Sequence, residues 1–310
     1  MIIPVSAVVP TRDRAQALSR TLESLSAQGV APAELIVVDG SEQEEARDVV
    51  AKASARLASG CNAWWAKAER PGAATQRIQG VSVTTQPFVW FFDDDILFEP
   101  ECVVRMWTAI SSDPALGGIN AMIVNQKYAS PGLPSRTVFW LMHGRRKTSY
   151  AGRVIGPAIN LLPEDRSDLP EVVPVEWLNT TCAIYRRRAL PNPVFDAVFA
   201  GYSLFEDVAL SLRVGAKWRL ANARTARIFH DSQPGAHKAN AAELAEMELV
   251  NRHYVMTKVL GRNDWRDYAK LLAWETFGLA ASLASSGGRR ACVARLGGKA
   301  RAIGAIVRAR

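Results

Sequence analysis

Phe88-Val89-Trp90-Phe91-Phe92-Asp93-Asp94-Asp95 is the stretch whose reading decides the fold. Five bulky apolar residues run straight into three carboxylates. A short, unbroken apolar run that begins after Pro87 reads as a strand buried on both faces. In an open parallel sheet, ligands sit outside the carboxyl ends of the strands. The run therefore sets three negative charges at the mouth of a sheet. Adjacent like charges repel, and grouping them is costly unless a positive charge neutralises them. Mg2+ and Mn2+ favour carboxylate oxygens and commonly share their sites with substrate phosphates, which makes a hard divalent cation the candidate. The plainer reading of the same residues is a solvated acidic turn ahead of the helix that follows Pro100.

Upstream, strand and helix patterns alternate. Val5-Ser6-Ala7-Val8-Val9 reads as a strand and is followed by Pro10-Thr11-Arg12-Asp13-Arg14. Ala15, Leu18, Leu22 and Leu25 then recur at helical spacing, and Gly29 closes that helix. Leu35-Ile36-Val37-Val38 is a second strand, ending in Asp39-Gly40-Ser41. This is a βαβ unit by length and pattern. Its first turn lacks GxGxxG, which argues against a dinucleotide-binding domain. An acid at the end of the second strand can still accept hydrogen bonds from a nucleoside. A helix with Ala46, Val49, Val50, Ala53 and Leu57 on one face follows, then a short strand at Ala63-Trp64-Trp65 and a helix from Gly72 to Val83. The alternation predicts an α/β fold with a mostly parallel sheet flanked by helices.

After Gly117-Gly118 the rhythm breaks. Residues 119 to 124 read as a strand, and 125 to 176 as irregular, the kind of long loop region that is usually functional. Order resumes from Trp177 to Tyr185, ahead of Arg186-Arg187-Arg188. Phe205-Glu206-Asp207 opens a helical run that ends at Gly215, and Trp218 to Ala221 reads as a last strand. His230 and His237 are expected in the loop beyond it, with helices over 241–259 and 268–284. The domain reading is a catalytic domain over 1–235 and a helical C-terminal region over 236–310.

The bulk numbers narrow the class. The 310 residues are 48% hydrophobic and 22% charged, ordinary for a globular chain with a proper core. Four scattered cysteines, Cys61, Cys102, Cys182 and Cys292, form no CxxC pair, which argues against a disulfide framework or cysteine zinc site and fits a reducing compartment. The N-terminus lacks the basic and apolar regions of a signal peptide. No apolar run reaches the ~18 residues of a membrane span. The net charge is +8, and seven basic residues with no acidic one fall between Gly287 and Arg310. Such a tail points to an anionic partner, with a solvated tail as the plain alternative. Within it Cys292, Leu296, Ile303 and Val307 share one helical side, as in an interfacial helix, whereas Gly297, Gly298 and Gly304 weaken a helix. Nucleic acid is not expected, because basic and aromatic residues are not interleaved along a groove or sheet.

The ordered set Pro10-Thr11-Arg12, Asp39, Arg77, Asp93-Asp94-Asp95, Glu206-Asp207 and His230 resembles the family 2 glycosyltransferases, which have the GT-A fold. The resemblance covers about residues 3 to 235, roughly three-quarters of the chain. It implies that Pro10, Thr11 and Arg12 border the nucleotide, that Asp39 contacts the nucleoside, and that Arg77, Asp93 and Asp94 belong to the donor site. It implies Asp95 and His230 as ligands of Mn2+ or Mg2+, and Asp207, beside Glu206, as the catalytic base. Relatives carry Asn where this chain has Ile78, so one polar contact is missing or supplied elsewhere. The QxxRW motif of processive synthases is absent, which implies transfer of one or a few sugars.

The chemistry agrees. A nucleotide-diphosphate leaving group gathers negative charge that a cation neutralises, arginine forks bind phosphate, and a hydroxyl acceptor needs a carboxylate to take its proton. The resemblance implies as partners a nucleotide-sugar donor, UDP-linked by family habit, and a glycan or lipid-linked acceptor. The enzyme is expected in the cytoplasm, peripheral on the inner face of the plasma membrane, held there by residues 287–310. Each residue also has a structural reading. Asp39 fits a strand-end Asx turn, Glu206-Asp207 fits helix-start acids, Arg186-Arg187-Arg188 fits a solvated turn, and Trp177 serves either an acceptor sugar or the core. Trp64 and Trp65 are assigned to packing. The competing functions are a nucleotidyltransferase, disfavoured by the lack of a Gly-rich phosphate loop, and a non-catalytic nucleotide-sugar binder.

Overall fold

Strand and helix alternate through the first part of the chain: β1 (Ile2–Thr11), α1 (Ala15–Ser26), β2 (Ala31–Asp39), α2 (Glu45–Ser54), β3 (Asn62–Lys67), α3 (Ala73–Ser82), β4 (Phe88–Phe92), β5 (Ile96–Phe98), α4 (Cys102–Ser112) and β6 (Leu116–Ile123). The same unit continues with β7 (Val172–Val175), β8 (Cys182–Arg186), α5 (Glu206–Gly215) and β9 (Arg219–His230). The computed structural model describes residues 1–145, 147, 149–199, 203–232, 240–283 and 288–308. They divide into two compact units. Met1–Tyr128 with Leu162–Gln233 form one, and Ala129–Leu161 with Pro234–Arg310 form the other.

The first unit is built on a sheet in the order β3-β2-β1-β4-β8-β6-β9-β5, with β7 paired to β9. β1 to β4, β6 and β9 run one way, whereas β5, β7 and β8 are reversed. The sheet is thus mostly parallel in strand direction. All of β4 is buried. Alternate residues of a strand point to opposite faces. Ala7, Val9, Leu35, Val37, Trp90 and Phe92 join the core made with α1, α2 and α4. Phe91 points the other way, against Tyr185 and Phe195. This two-sided burial is why the run Phe88–Phe92 has no polar alternation.

Several elements differ from the sequence reading. β6 begins at Leu116 rather than 119, and the glycine pair lies inside it. A Cβ on Gly118 would meet the Tyr185 ring at 2.7 Å, so the glycine admits a close neighbour rather than ending the strand. The last strand runs on to His230, which pairs with Ile96 of β5 instead of lying in a loop. Residues 125–176 hold a helix at Leu133–His143, a short strand pair Val154–Ile155 and Ile159–Asn160, and β7. The interval is shared between the two units, and residues 129–161 cluster with the C-terminal helices.

The second unit contains Leu133–His143, the short strand pair, and helices at Ala241–Tyr254, Trp265–Leu283 and Gly288–Arg308. Asn240 caps the first C-terminal helix, its side chain accepting from the amides of Ala242 and Glu243. That helix runs on into a π turn at Val255–Val259. Buried Arg252 pairs with Glu248 at 2.6 Å and Glu275 at 3.3 Å, and Lys299 closes on the same Glu275. One ionic cluster therefore ties three helices together. Among the described residues no helix is long and apolar enough to cross a membrane.

One buried hydroxyl ties α1 to the acidic turn. Thr21 Oγ1 lies 2.8 Å from the carbonyl oxygens of both Asp94 and Ile96, which share its single proton, and accepts from the Ile96 amide at 3.1 Å. Thr21→Val keeps the shape but removes these bonds. The expected result is a loss of about 1–3 kcal/mol, read as a lower urea midpoint with an unchanged slope.

Candidate active site

The acidic turn leaves the end of β4 with its three carboxylates in different surroundings. Asp94 is buried, accepting from Thr11 Oγ1 at 2.6 Å and lying 3.4 Å from Arg14. Burial pushes its carboxyl up to about 7, with Asp95 adding to the rise and Thr11 and Arg14 opposing it. Asp94 thus braces the segment after β1 in this conformation. Asp93 and Asp95 instead converge with His230: one ligand atom from each lies within 4.8 Å of the others. Two carboxylates and an imidazole form an oxygen-rich donor set that fits Mn2+ or Mg2+. Asp93 therefore joins the residues that could hold the cation, beside the expected Asp95 and His230.

His230 is held from two sides. Asn125 makes a pair of hydrogen bonds with its backbone, at 2.9 and 3.0 Å. Its Nδ1 lies 3.0 Å from Gln126 Nε2, and its Nε2 lies 3.1 Å from Asp95. In this orientation the Gln126 amide donates to Nδ1 and leaves the ring proton on Nε2, towards Asp95; holding a cation through Nε2 calls for the amide to turn so that its Oε1 accepts from Nδ1.

Arg77, on α3, joins the acidic turn to the start of α5. Its guanidinium is buried, 2.6 Å from Asp93 and in contact with Glu206. Burial works against its charge, but Glu206, Asp93 and Asp207 outweigh that and hold its pKa above the usual value. Burial pushes the Glu206 carboxyl up to about 7, with Arg77 opposing it and Asp207 adding to it. Burial likewise raises Asp207 to about 6, against a bond from the Val208 amide. Asp207 is partly open where Glu206 is buried. Phe205, directly before the pair, has φ +71°, a conformation in which a bulky residue is strained.

Other expected residues are placed differently. Arg12 is exposed and pairs only with Asp13, at 3.5 Å among the described contacts; the arginine at the cluster is Arg14, 3.1 Å from Asp95. Pro10 and Thr11 are buried. Asp39 is fully buried, with one oxygen on the Ser41 amide at 2.9 Å and the other on Trp65 Nε1 at 3.1 Å, the turn geometry of its structural reading. Trp65 therefore hydrogen-bonds as well as packs. Trp177 is only 5% exposed, so its ring is not an open platform for a sugar in this conformation. Arg186 and Arg187 are spent on the carbonyls of Leu116, Ile110 and Gln86 rather than left for phosphate. His237 lies outside the described residues.

Three polar residues that sequence reasoning passed over hold the site together: Arg14, Gln126 and Gln76. Buried Gln76 donates to the carbonyls of Thr11 at 2.9 Å and Val38 at 2.7 Å, locking the ends of β1 and β2. Arg14 lies in the quoted Pro10–Arg14 segment, and its place two residues beyond Arg12 was the available signal.

The mostly parallel α/β sheet, with acids, a histidine and a buried arginine at its mouth, has the GT-A fold. Residues 6–159 match the model of glycosyl transferase family 2, and the chain carries a domain of that family. Similar solved structures include GalNAc-T7 with UDP, GalNAc and Mn2+, at 14% identity and TM-score 0.55, over 82% of this chain and 47% of that one. The mannosyltransferase PcManGT from Pyrobaculum calidifontis, with GDP-Man and Mn2+, matches at 14% identity and TM-score 0.56, over 97% of this chain and 87% of that one. S. aureus TarS 1-349 with UDP-GlcNAc matches at 16% identity and TM-score 0.53, over 88% and 71%. The chain spans about half the length of the first of these. No curated protein matches it in sequence.

The Gln126–His230 contact has a measurable consequence. Gln126→Leu is expected to weaken Mn2+ binding by about 10–100-fold, measured by titration calorimetry, while the unfolding midpoint stays near that of the parent. Unchanged affinity would assign Gln126 to packing alone.

Proposed function

We propose that the protein is an inverting, metal-dependent glycosyltransferase that moves one hexosyl or deoxyhexosyl group from a nucleotide-diphosphate sugar to a hydroxyl of a glycan or lipid-linked acceptor. The observation that carries this reading is the Arg77 bridge. It sets a candidate cation site, Asp93 with Asp95, beside a helix start that bears a partly open carboxylate, Asp207. UDP is the preferred nucleotide, because two of the three similar structures described hold a UDP species, although the third holds GDP-Man. Polysaccharide assembly at the inner face of the plasma membrane is the setting in which such a transfer is expected.

Asp93, Asp95 and His230 would hold Mn2+ or Mg2+, which when bound neutralises the charge of the departing diphosphate. Arg14, partly exposed at the same cluster, is the guanidinium placed to meet a phosphate, by the fork geometry that suits arginine to it. Arg77 is buried and paired with two carboxylates, so its part is positioning. Asp207 accepts the acceptor's proton as the hydroxyl attacks opposite the leaving group, which inverts the anomeric centre. Glu206, buried against Arg77, fixes the helix start from which Asp207 projects.

Asp207→Asn is expected to cut turnover at least about 100-fold while leaving donor binding intact, measured by product formation beside calorimetric titration of UDP. Normal turnover in that variant would remove Asp207 from the mechanism, and loss of both binding and turnover would mark it as structural. A panel of nucleotide sugars, each with Mn2+ and with chelator, identifies the donor.

The pH dependence has a definite sign. Asp207 works as a base only when deprotonated, so activity should fall as pH drops through about 6. Stability should run the other way. Carboxyls whose folded pKa is raised, from 3.8 to about 6 and from 4.5 to about 7, favour the folded state most at low pH and lose that contribution as pH rises through those values. Paired rate and thermal-unfolding profiles between pH 4 and 8 check both slopes.

A further inference from the structure

The second unit carries a surface that its own packing does not explain. Helix Gly288–Arg308 buries Cys292, Gly298 and Ala302. Away from them, Val293, Leu296, Ile303 and Val307 are 69%, 49%, 58% and 64% exposed. With exposed Ala300 they recur every three or four residues, which makes one continuous aliphatic stripe along the helix. Cys292, expected on that stripe from its spacing, belongs to the buried side instead. The neighbouring helix Trp265–Leu283 adds exposed Trp265, Leu272 and Leu283, and no charged residue follows Glu275 in it.

The charge on the last helix selects among occupants. It carries Arg289, Arg290, Arg295, Lys299, Arg301 and Arg308 and no acid. Lys299 is tied to Glu275, and Arg301 to Glu246 at 2.6 Å. Arg289, Arg290, Arg295 and Arg308 meet no carboxylate among the described residues. A second copy laid against this stripe would bring these arginines against their like, which is unfavourable. An aliphatic stripe beside unneutralised arginines is complementary to a surface that is apolar beneath and anionic above.

We propose that helix Gly288–Arg308 is an interfacial helix that seats the second unit on an anionic lipid bilayer, with Val293, Leu296, Ile303 and Val307 in the acyl boundary and the arginines among lipid phosphates. This is the geometry of a helix that lies in the membrane plane rather than crossing it. None of these residues belongs to the candidate active site, so the inference stands whether or not the transferase reading holds.

The test is flotation of the full chain with vesicles of phosphatidylglycerol and phosphatidylethanolamine, against vesicles of phosphatidylcholine alone. Binding is expected to the anionic vesicles and to weaken as salt is raised. The double variants Val293→Ser/Ile303→Ser and Arg289→Glu/Arg290→Glu should each lower partitioning by about tenfold. All four residues are exposed, so thermal unfolding should hardly move, and transfer to a water-soluble acceptor should stay at the parent rate. Equal binding to both vesicle types, or no flotation with either, overturns the proposal. So does a dimer seen by sedimentation velocity and dissociated by Val293→Ser/Ile303→Ser, which would assign the stripe to a second copy.

Discussion

The Arg77 guanidinium, buried between Asp93 and Glu206, is the contact on which the candidate site depends. A buried cation is tolerable only when paired, and removing one partner of such a pair is more damaging than never having built it. Its carboxylates lie 16 and 129 residues away in the chain. They meet only if β4, α3 and the start of α5 are all in register. The ion cluster thus makes the fold and the site interdependent: it exists when the sheet mouth has formed, and it fixes the distance between the acidic turn and Asp207.

Around that cluster, the repulsion among the three adjacent carboxylates is offset by neighbouring donors and cations, with Arg14 shared by Asp94 and Asp95. Asp94 turns to Thr11 and Arg14, Asp93 to Arg77, and Asp95 to Arg14 and His230. The three acids lie in the turn between β4 and β5, where Asp94 and Asp95 are buried and Asp93 is partly open. Thr21 holds the backbone of the turn from the α1 side, and Gln76 holds the strand ends from the α3 side. On α1 the other buried residues are Ala17, Leu18, Leu22 and Leu25, whereas α3 buries Arg77 beside Gln76.

That arrangement explains what was legible in the sequence. The run Phe88–Phe92 announced a doubly buried strand, because burial on both faces leaves no room for polar residues. The acids after it announced the sheet mouth, and β1, β2 and β3 followed from their own apolar runs. The braces were hidden, because one Thr, Gln or Arg in an amphipathic helix has no periodicity of its own. β5, three residues long, is too short to carry a pattern, and missing it left His230 in a loop rather than at a strand end. Arg12 was favoured over Arg14 by resemblance to a motif. What decides between them is the path of the chain after β1, where Asp13 has φ +55°, and that path is not written in residue type.

The C-terminal helices teach a related lesson about glycine. Gly297, Gly298 and Gly304 each cost roughly 1 kcal/mol in an isolated helix, yet Gly288–Arg308 is helical through all three. A Cβ on Gly298 would fall 2.0 Å from the Ala242 carbonyl oxygen. The glycine lets two helices approach to backbone contact, and the packing gained across that seam, with Ala302 beside it, offsets the lost propensity. The inner side of the helix is therefore accounted for by small residues and close approach. Nothing in that seam requires aliphatic residues on the outer side. Four large ones at regular spacing, beside four arginines that meet no carboxylate among the described residues, are the pattern from which the bilayer proposal is drawn.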